Sequence, residues 1–295
     1  MPRLKHLLTF TRPLTLLLAA LTYSLGTGIA RYLGRADNPL IFALGFGWVL
    51  LIVTAMNLLA IYFRPPNEPL IESDEDETIK ARNWLRAAAF QITIGALGVA
   101  AVLTILLFIN KISPNAILFG ALILLIALGY ALPPLRLIYT GLGEFTLAIL
   151  FALLIPAFSL TLQMGSLHRL LGAVAFPFAA LTFAVFIILN FPNFAEDRKY
   201  ERGSLLIRIG WQRAVTLHHI LVLTAYLLFA AMPLFGFPRS LIFPVFIIAP
   251  FALVQIFWLQ RITQGAPPNW KFLRLLALSV LGLTAYILTL TFWIR

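Results

Sequence analysis

The chain has 295 residues, of which 61% are hydrophobic and 11% charged, with a formal net charge of +11. A mean hydropathy of +0.95 excludes a soluble globular domain, and the lack of cysteine excludes thiolate catalysis, disulfides and cysteine metal sites. The positive charge is spread over loops between apolar runs, not along one groove-sized element, so nucleic acid is excluded as a partner.

The opening MPRLKHLLTFTRP is basic, but no small-residue cleavage site follows a short apolar core, so the first apolar run is expected to stay. Charge-free runs long enough to span a bilayer recur at 13–30, 38–63, 87–110, 112–135, 145–167, 170–195, 214–238, 240–260 and 275–294. These predict nine transmembrane helices. In lipid every backbone polar group must be satisfied internally, and the runs do not alternate as barrel strands would, so the expected class is an all-α polytopic membrane protein. It reads as one domain over 1–295, with loops at about 64–86, 133–144, 196–213 and 261–274 on one side of the membrane.

Sixteen of the 22 lysines and arginines fall on that side and six on the other. The positive-inside rule then places the N-terminus and these loops in the cytoplasm and the C-terminus outside. A basic face of this kind also suits anionic lipid headgroups. Of eleven acids only Asp37 falls on the outer side. The run ESDEDE, 72–77, reads as a solvated loop, whereas Glu68, Glu144, Glu196 and Asp197 sit at helix ends.

Three stretches carry polar chemistry. At the end of the second helix, NLLAIYFRPPNE places Asn57, Ile61, Arg64 and Glu68 on one face if the helix persists through Pro65 and Pro66. Read alone, Arg64 snorkels to water and pairs with Glu68. Between the fourth and fifth helices lies GYALPPLRLIYTGLGEF. Pro133 and Pro134 end one helix, Gly141 and Gly143 permit a tight turn into the next, and Arg136 and Glu144 bracket the break as an internal ion pair. At the end of the sixth helix Asn190, Asn193 and Asp197 share a face, while Glu196 points elsewhere. Such asparagines face protein or a cavity, either as interhelical hydrogen bonds or as a site. Arg198, Lys199, Arg202 and Arg208 follow, a cluster suited to phosphate. His218 and His219 are adjacent and point apart, which argues against a joint metal site, and His6 and His168 read as solvated. Tyr62, Tyr130 and Tyr139 read as packing or interfacial anchors.

YALPPLRLIYTGLGEF closely resembles the YSxPPxRLKxxGxGE signature of the UbiA superfamily of intramembrane prenyltransferases, in particular the menaquinone-pathway branch that prenylates 1,4-dihydroxy-2-naphthoate. TRPLTL, from Thr11 to Leu16, resembles that branch's first-helix opening, and FPNFAEDRKYERGSLLIRIG resembles its FPDxExDxxxGKRTLxVRLG. The resemblance implies a UbiA-type bundle with a central cavity, in a bacterial or archaeal plasma membrane. It implies transfer of a polyprenyl group from its diphosphate to an aromatic, quinone-precursor-like acceptor within membrane lipid. In the family, Mg²⁺ held by Asp-rich motifs on the second and sixth helices neutralises the leaving diphosphate.

This chain departs from that pattern at the metal motifs. The family's NDxxDxxxD falls on Ala60, Ile61, Arg64 and Glu68, and its DxExD on Asn193, Ala195 and Asp197. The family's glycine before the basic pair is Glu201. Asp197, Arg136, Arg208 and Glu144 keep their types. A cation at position 64 repels a metal and removes a ligand. Three readings stay open. One Mg²⁺ is held by Asp197, Asn193, Asn190, Glu68 and Glu196. Alternatively, Arg64 replaces the metal and clamps diphosphate with Arg136, Arg208, Arg198 and Lys199. In the third, Arg64 pairs with Asp197 across the cleft between the second and sixth helices. The first two describe a transferase with Asp197, Asn193 and Arg64 at its reacting centre; the last describes a non-catalytic relative that binds isoprenoid lipid or quinone.

Overall fold

The computed structural model describes residues 2–35, 38–66, 68–70 and 79–295. Asp37 and the acidic run 72–77 therefore lie outside the described residues. Among the described residues there is no strand, and nine helices are long and apolar enough to cross a membrane. They are Pro13–Tyr32, Pro39–Tyr62, Ile79–Ile109, Pro114–Ala131, Gly143–Met164, Arg169–Lys199, Trp211–Phe235, Arg239–Thr263 and Trp270–Ile294, called here the first to ninth spans.

Helix starts follow from residue type. The Asn38 side chain accepts the N–H groups of Leu40 and Ile41 at 3.0 and 3.2 Å, Ser113 accepts that of Ala116 at 3.2 Å, and Asn269 that of Phe272 at 3.1 Å. Each satisfies donors a helix leaves free, and Pro39 and Pro114 occupy first positions where no N–H is needed. His168, expected to be solvated, caps the sixth span by accepting the Leu170 N–H on Nδ1 at 3.2 Å. The third span is already helical at Ile79, the first described residue after 70, and not only from 87. Its opening KARNWLR is too charged to score as apolar, but it is rich in helix formers and buries Leu85 and Ala89 on one face. The fourth span stops at Ala131 and not at 135, short of Pro133 and Pro134.

The first span is the hub. A Cβ built on Gly26 would overlap the Pro156 carbonyl, so only glycine lets the first and fifth spans approach this closely. Hydroxyls then bind them: Thr27 and Ser159 lie 2.6 Å apart, and Ser159 donates to the Tyr23 carbonyl at 2.6 Å. Tyr23 donates to the Phe42 carbonyl of the second span at 3.1 Å, and Trp293 of the ninth donates to the Ser24 carbonyl at 2.8 Å. The fifth span is the most enclosed, with 83% of its apolar window buried, against 22% for the third, which runs along the outside. The sixth packs on the seventh and touches the ninth. Pro156 lacks an N–H, and the fifth span widens into a π-turn over Leu150–Leu154 just before it.

Candidate functional site

The second span ends at Tyr62, so Glu68 is not on its helix; a turn through Pro65 folds it back, its N–H on the Pro65 carbonyl at 3.2 Å. The carboxylate is 1% exposed and accepts from Arg64 Nε at 3.0 Å. Its neighbour is thus the one expected, but the pair is buried rather than solvated. Arg202, from the segment after the sixth span, reaches the same Glu68 oxygen with Nη2 and places Nη1 3.2 Å from Asp197 Oδ1. Ser204 donates to Asp197 Oδ2 at 2.8 Å, and Tyr139 donates to Glu68 Oε2 at 3.2 Å. Two guanidiniums and two carboxylates therefore alternate across the ends of the second and sixth spans, with Arg202 as the bridge. The pairing of Arg64 with Asp197 does not form; Glu68 and Arg202 stand between them.

The electrostatics follow from this alternation. Burial opposes the charged form of Arg202, but Glu68 and Asp197 together hold its pKa above the ordinary value. Among the described residues Arg64 has one carboxylate neighbour and feels Arg202, and burial keeps its pKa below the ordinary value. Burial and the Glu68 charge push the Tyr139 hydroxyl up to about 12, so it stays a donor.

A second junction lies beside the first. Asn190 donates to Glu144 Oε1 at 2.6 Å, which is the interhelical hydrogen bond expected of an intramembrane amide. The same oxygen accepts the Leu205 N–H at 3.2 Å and so caps the short helix Leu205–Ile209. Arg136 does not pair with Glu144. It donates from Nη2 to the Phe63 carbonyl at 3.0 Å, because the turn after Pro134 aims it at the second span. Arg136 and Glu201 are both left-handed, with φ of 40° and 52°. Arg208 is exposed and lies over Gly141, where a Cβ would collide with it. A Cβ on Gly203 would overlap the Tyr139 carbonyl. Arg198 and Lys199 are exposed, and Asn193 and Glu196 are half-buried.

Sequence reading placed Arg202 in a general phosphate cluster and missed it as the bridge. Tyr139 and Ser204 were missed as carboxylate partners. The usable signal for Arg202 is its spacing from Asp197, one helical turn and a half away in a segment that cannot continue the helix.

Among the described residues no three His, Asp or Glu side chains come together to hold a metal. Glu68 and Asp197 are each occupied by guanidinium, Asn190 is spent on Glu144, and a cation stands between the two acids. A hard divalent ion needs several oxygens free of competing cations, so this arrangement does not fit one.

An open cavity of ≈ 680 Å³ adjoins Arg64, between the second-span end, the third span and Arg136.

A bundle of membrane-length helices, with an ion-pair junction where two span ends meet, defines an integral membrane protein with a polar site at one end of its helices. The chain belongs to the UbiA prenyltransferase family, whose model matches residues 19–281. It is 26% identical over 242 residues to the 1,4-dihydroxy-2-naphthoate octaprenyltransferase of Bacillus subtilis (strain 168), covering 81% of this chain and 77% of that protein. A UbiA homolog from Archaeoglobus fulgidus superposes with a TM-score of 0.66 at 15% identity, over 98% of this chain and 100% of that one. The form of that homolog bound to GPP and Mg²⁺ superposes at 0.62 with 14% identity, over 96% and 99%. A digeranylgeranylglyceryl phosphate synthase superposes at 0.60 with 16% identity, over 100% and 98%. At these identities the solved structures establish the shared fold.

Proposed function

We propose that this protein transfers a polyprenyl group from its diphosphate to an aromatic, quinone-precursor-like acceptor in the membrane. The observation that carries the reading is the convergence of Arg64, Glu68, Arg202 and Asp197 where the second and sixth spans end. The naphthoate octaprenyltransferase similarity supports the acceptor class. The whole chain acts as one domain, with its arginine-rich end in the cytoplasm.

In this reading the allylic C–O bond breaks and its electron pair leaves with the diphosphate. The aromatic carbon of the acceptor bonds to the allylic carbon, and the ring then loses a proton. The charge that develops on the diphosphate is met by guanidinium, which binds phosphate in a bidentate fork. Arg64, Arg136, Arg208, Arg198 and Lys199 supply the positive charge, with Asp197 and Asn193 beside the reacting centre. Occupied carboxylates make a resident metal unnecessary to this account.

A specific observation favours a second reading: both carboxylates are buried and already neutralised, as in a relative that binds isoprenoid lipid or quinone without ionising it. Purified protein in lipid, given a panel of prenyl diphosphates and aromatic acceptors with Mg²⁺ or with EDTA, separates the two. The expected outcome is prenylated product that persists in EDTA and disappears in Arg64→Ala. Binding of prenyl diphosphate or quinone with no product from any pair would leave the second reading standing.

A further inference from the structure

The sixth to ninth spans enclose a second interior, built from other residues than the ion-pair junction. Its apolar layer joins Leu181 and Ala184 of the sixth span, Val222 of the seventh, Ala252 of the eighth and Val280 of the ninth. Two polar side chains share the buried faces of this layer. His218 stands one turn before Val222, Gln255 one turn after Ala252, and both are 0% exposed.

The two stand at one level. The seventh and eighth spans are joined by the short connection 236–238 and run antiparallel, so a step back along one and a step forward along the other lead to the same end. From Trp211 to His218 the helix rises about 10 Å, and from Thr263 back to Gln255 about 12 Å, at 1.5 Å per residue. His219 faces the backbone at Ile256, the residue after Gln255, which brings positions 218–219 and 255–256 together across the two spans.

Neither ring nitrogen of His218 and neither amide atom of Gln255 has a hydrogen-bond partner among the described residues. A direct bond between the two side chains would have satisfied one atom on each. Inside membrane-length helices bulk water does not complete such groups, and leaving them unmade is costly. A neutral imidazole offers one donor and one acceptor, and an amide offers two donors and a carbonyl oxygen. What completes both is a molecule that donates and accepts at once. It is also small, because the adjoining Leu181, Val222, Ala252 and Val280 are themselves closed off. Water meets both conditions, and a buried water typically makes about three such bonds.

We propose that His218 and Gln255 hold a bound water between the seventh and eighth spans, as a bridge that neither side chain completes alone. The site uses no residue of the proposed diphosphate site, and it stands whether or not the protein transfers prenyl groups.

The test is X-ray hydroxyl-radical footprinting of the full chain in lipid discs in oxygen-18 water, read by tandem mass spectrometry. Radicals formed from a bound water oxidise the side chains that touch it, however well these are shielded from bulk solvent. Tyr23 is the control, since it is equally buried and its hydroxyl is already spent on the Phe42 carbonyl. His218 is expected to take up label well above Tyr23. Gln255→Leu breaks no bond that the structure shows, and it should bring His218 labelling down to the level of Tyr23 while keeping the unfolding midpoint at or above that of wild type. Labelling of His218 no higher than that of Tyr23 in the wild type overturns the proposal by itself. Unchanged labelling of His218 in Gln255→Leu overturns the bridge.

Discussion

Arg202 touches two acids that have almost no access to water: Glu68 is 1% and Asp197 4% exposed. Arg202→Gln leaves Asp197 without its guanidinium and Glu68 with Arg64 alone, and breaking a buried pair in this way costs about 3 kcal/mol. The expected outcome is a lower unfolding midpoint in detergent. The double variant with Asp197→Asn should lose less than the sum of the singles, because the two share one interaction. Additive losses would mean the pair is not coupled. The sequence revealed that Arg64 and Glu68 meet. It hid how deeply, since Arg64 read as snorkelling to water with Glu68 beside it, and only the folded turn brings Glu68 under Arg202 and Tyr139.

Elements at the junction are held by close backbone approaches as much as by charge. Gly203 lies against the Tyr139 carbonyl, which sets the segment carrying Arg202 against the turn carrying Tyr139. Gly203→Ala must push them apart by about an ångström, since its Cβ would lie 2.0 Å from the Tyr139 carbonyl oxygen, with an expected cost of about 1–3 kcal/mol read from the same unfolding assay. Wild-type stability would show that the turn gives way freely. Long apolar elements were legible because bilayer-length runs have few rivals, whereas the caps at Asn38, Ser113 and Asn269 were not read from the sequence. Nor were the first turns of the third span. Lys80, Arg82 and Arg86 made them look like loop, although their helix-forming residues and the apolar pair Leu85 and Ala89 stood beside them.

Across the whole molecule, charge asymmetry is the sequence property with the widest reach, and it underlies the proposed orientation. Because the chain has no cysteine, a single one placed at exposed Arg198 reports its side unambiguously. Labelling by an impermeant maleimide is expected in inverted vesicles and not in intact cells; the reverse pattern would invert the topology. The network itself was not legible at this scale, since no hydropathy pattern says which loop arginine crosses to which acid. The left-handed residues have a distribution of their own. Of the four non-glycine residues with positive φ among the described residues, Arg12, Arg136 and Glu201 stand at the end of the bundle that carries the junction, and Lys111 alone at the other. Each such residue stores on the order of 1 kcal/mol or more of backbone strain. The two ends of the molecule are thus unequally relaxed, and the tense end is the one with the ion pairs. Glu201→Gly should release its share, raising stability by about 1 kcal/mol while leaving the opposite end untouched in hydrogen exchange. A loss of stability would mean that the carboxylate of Glu201 matters more than its backbone. A protein wound tightly at one end and slack at the other has its spare free energy beside the proposed diphosphate site.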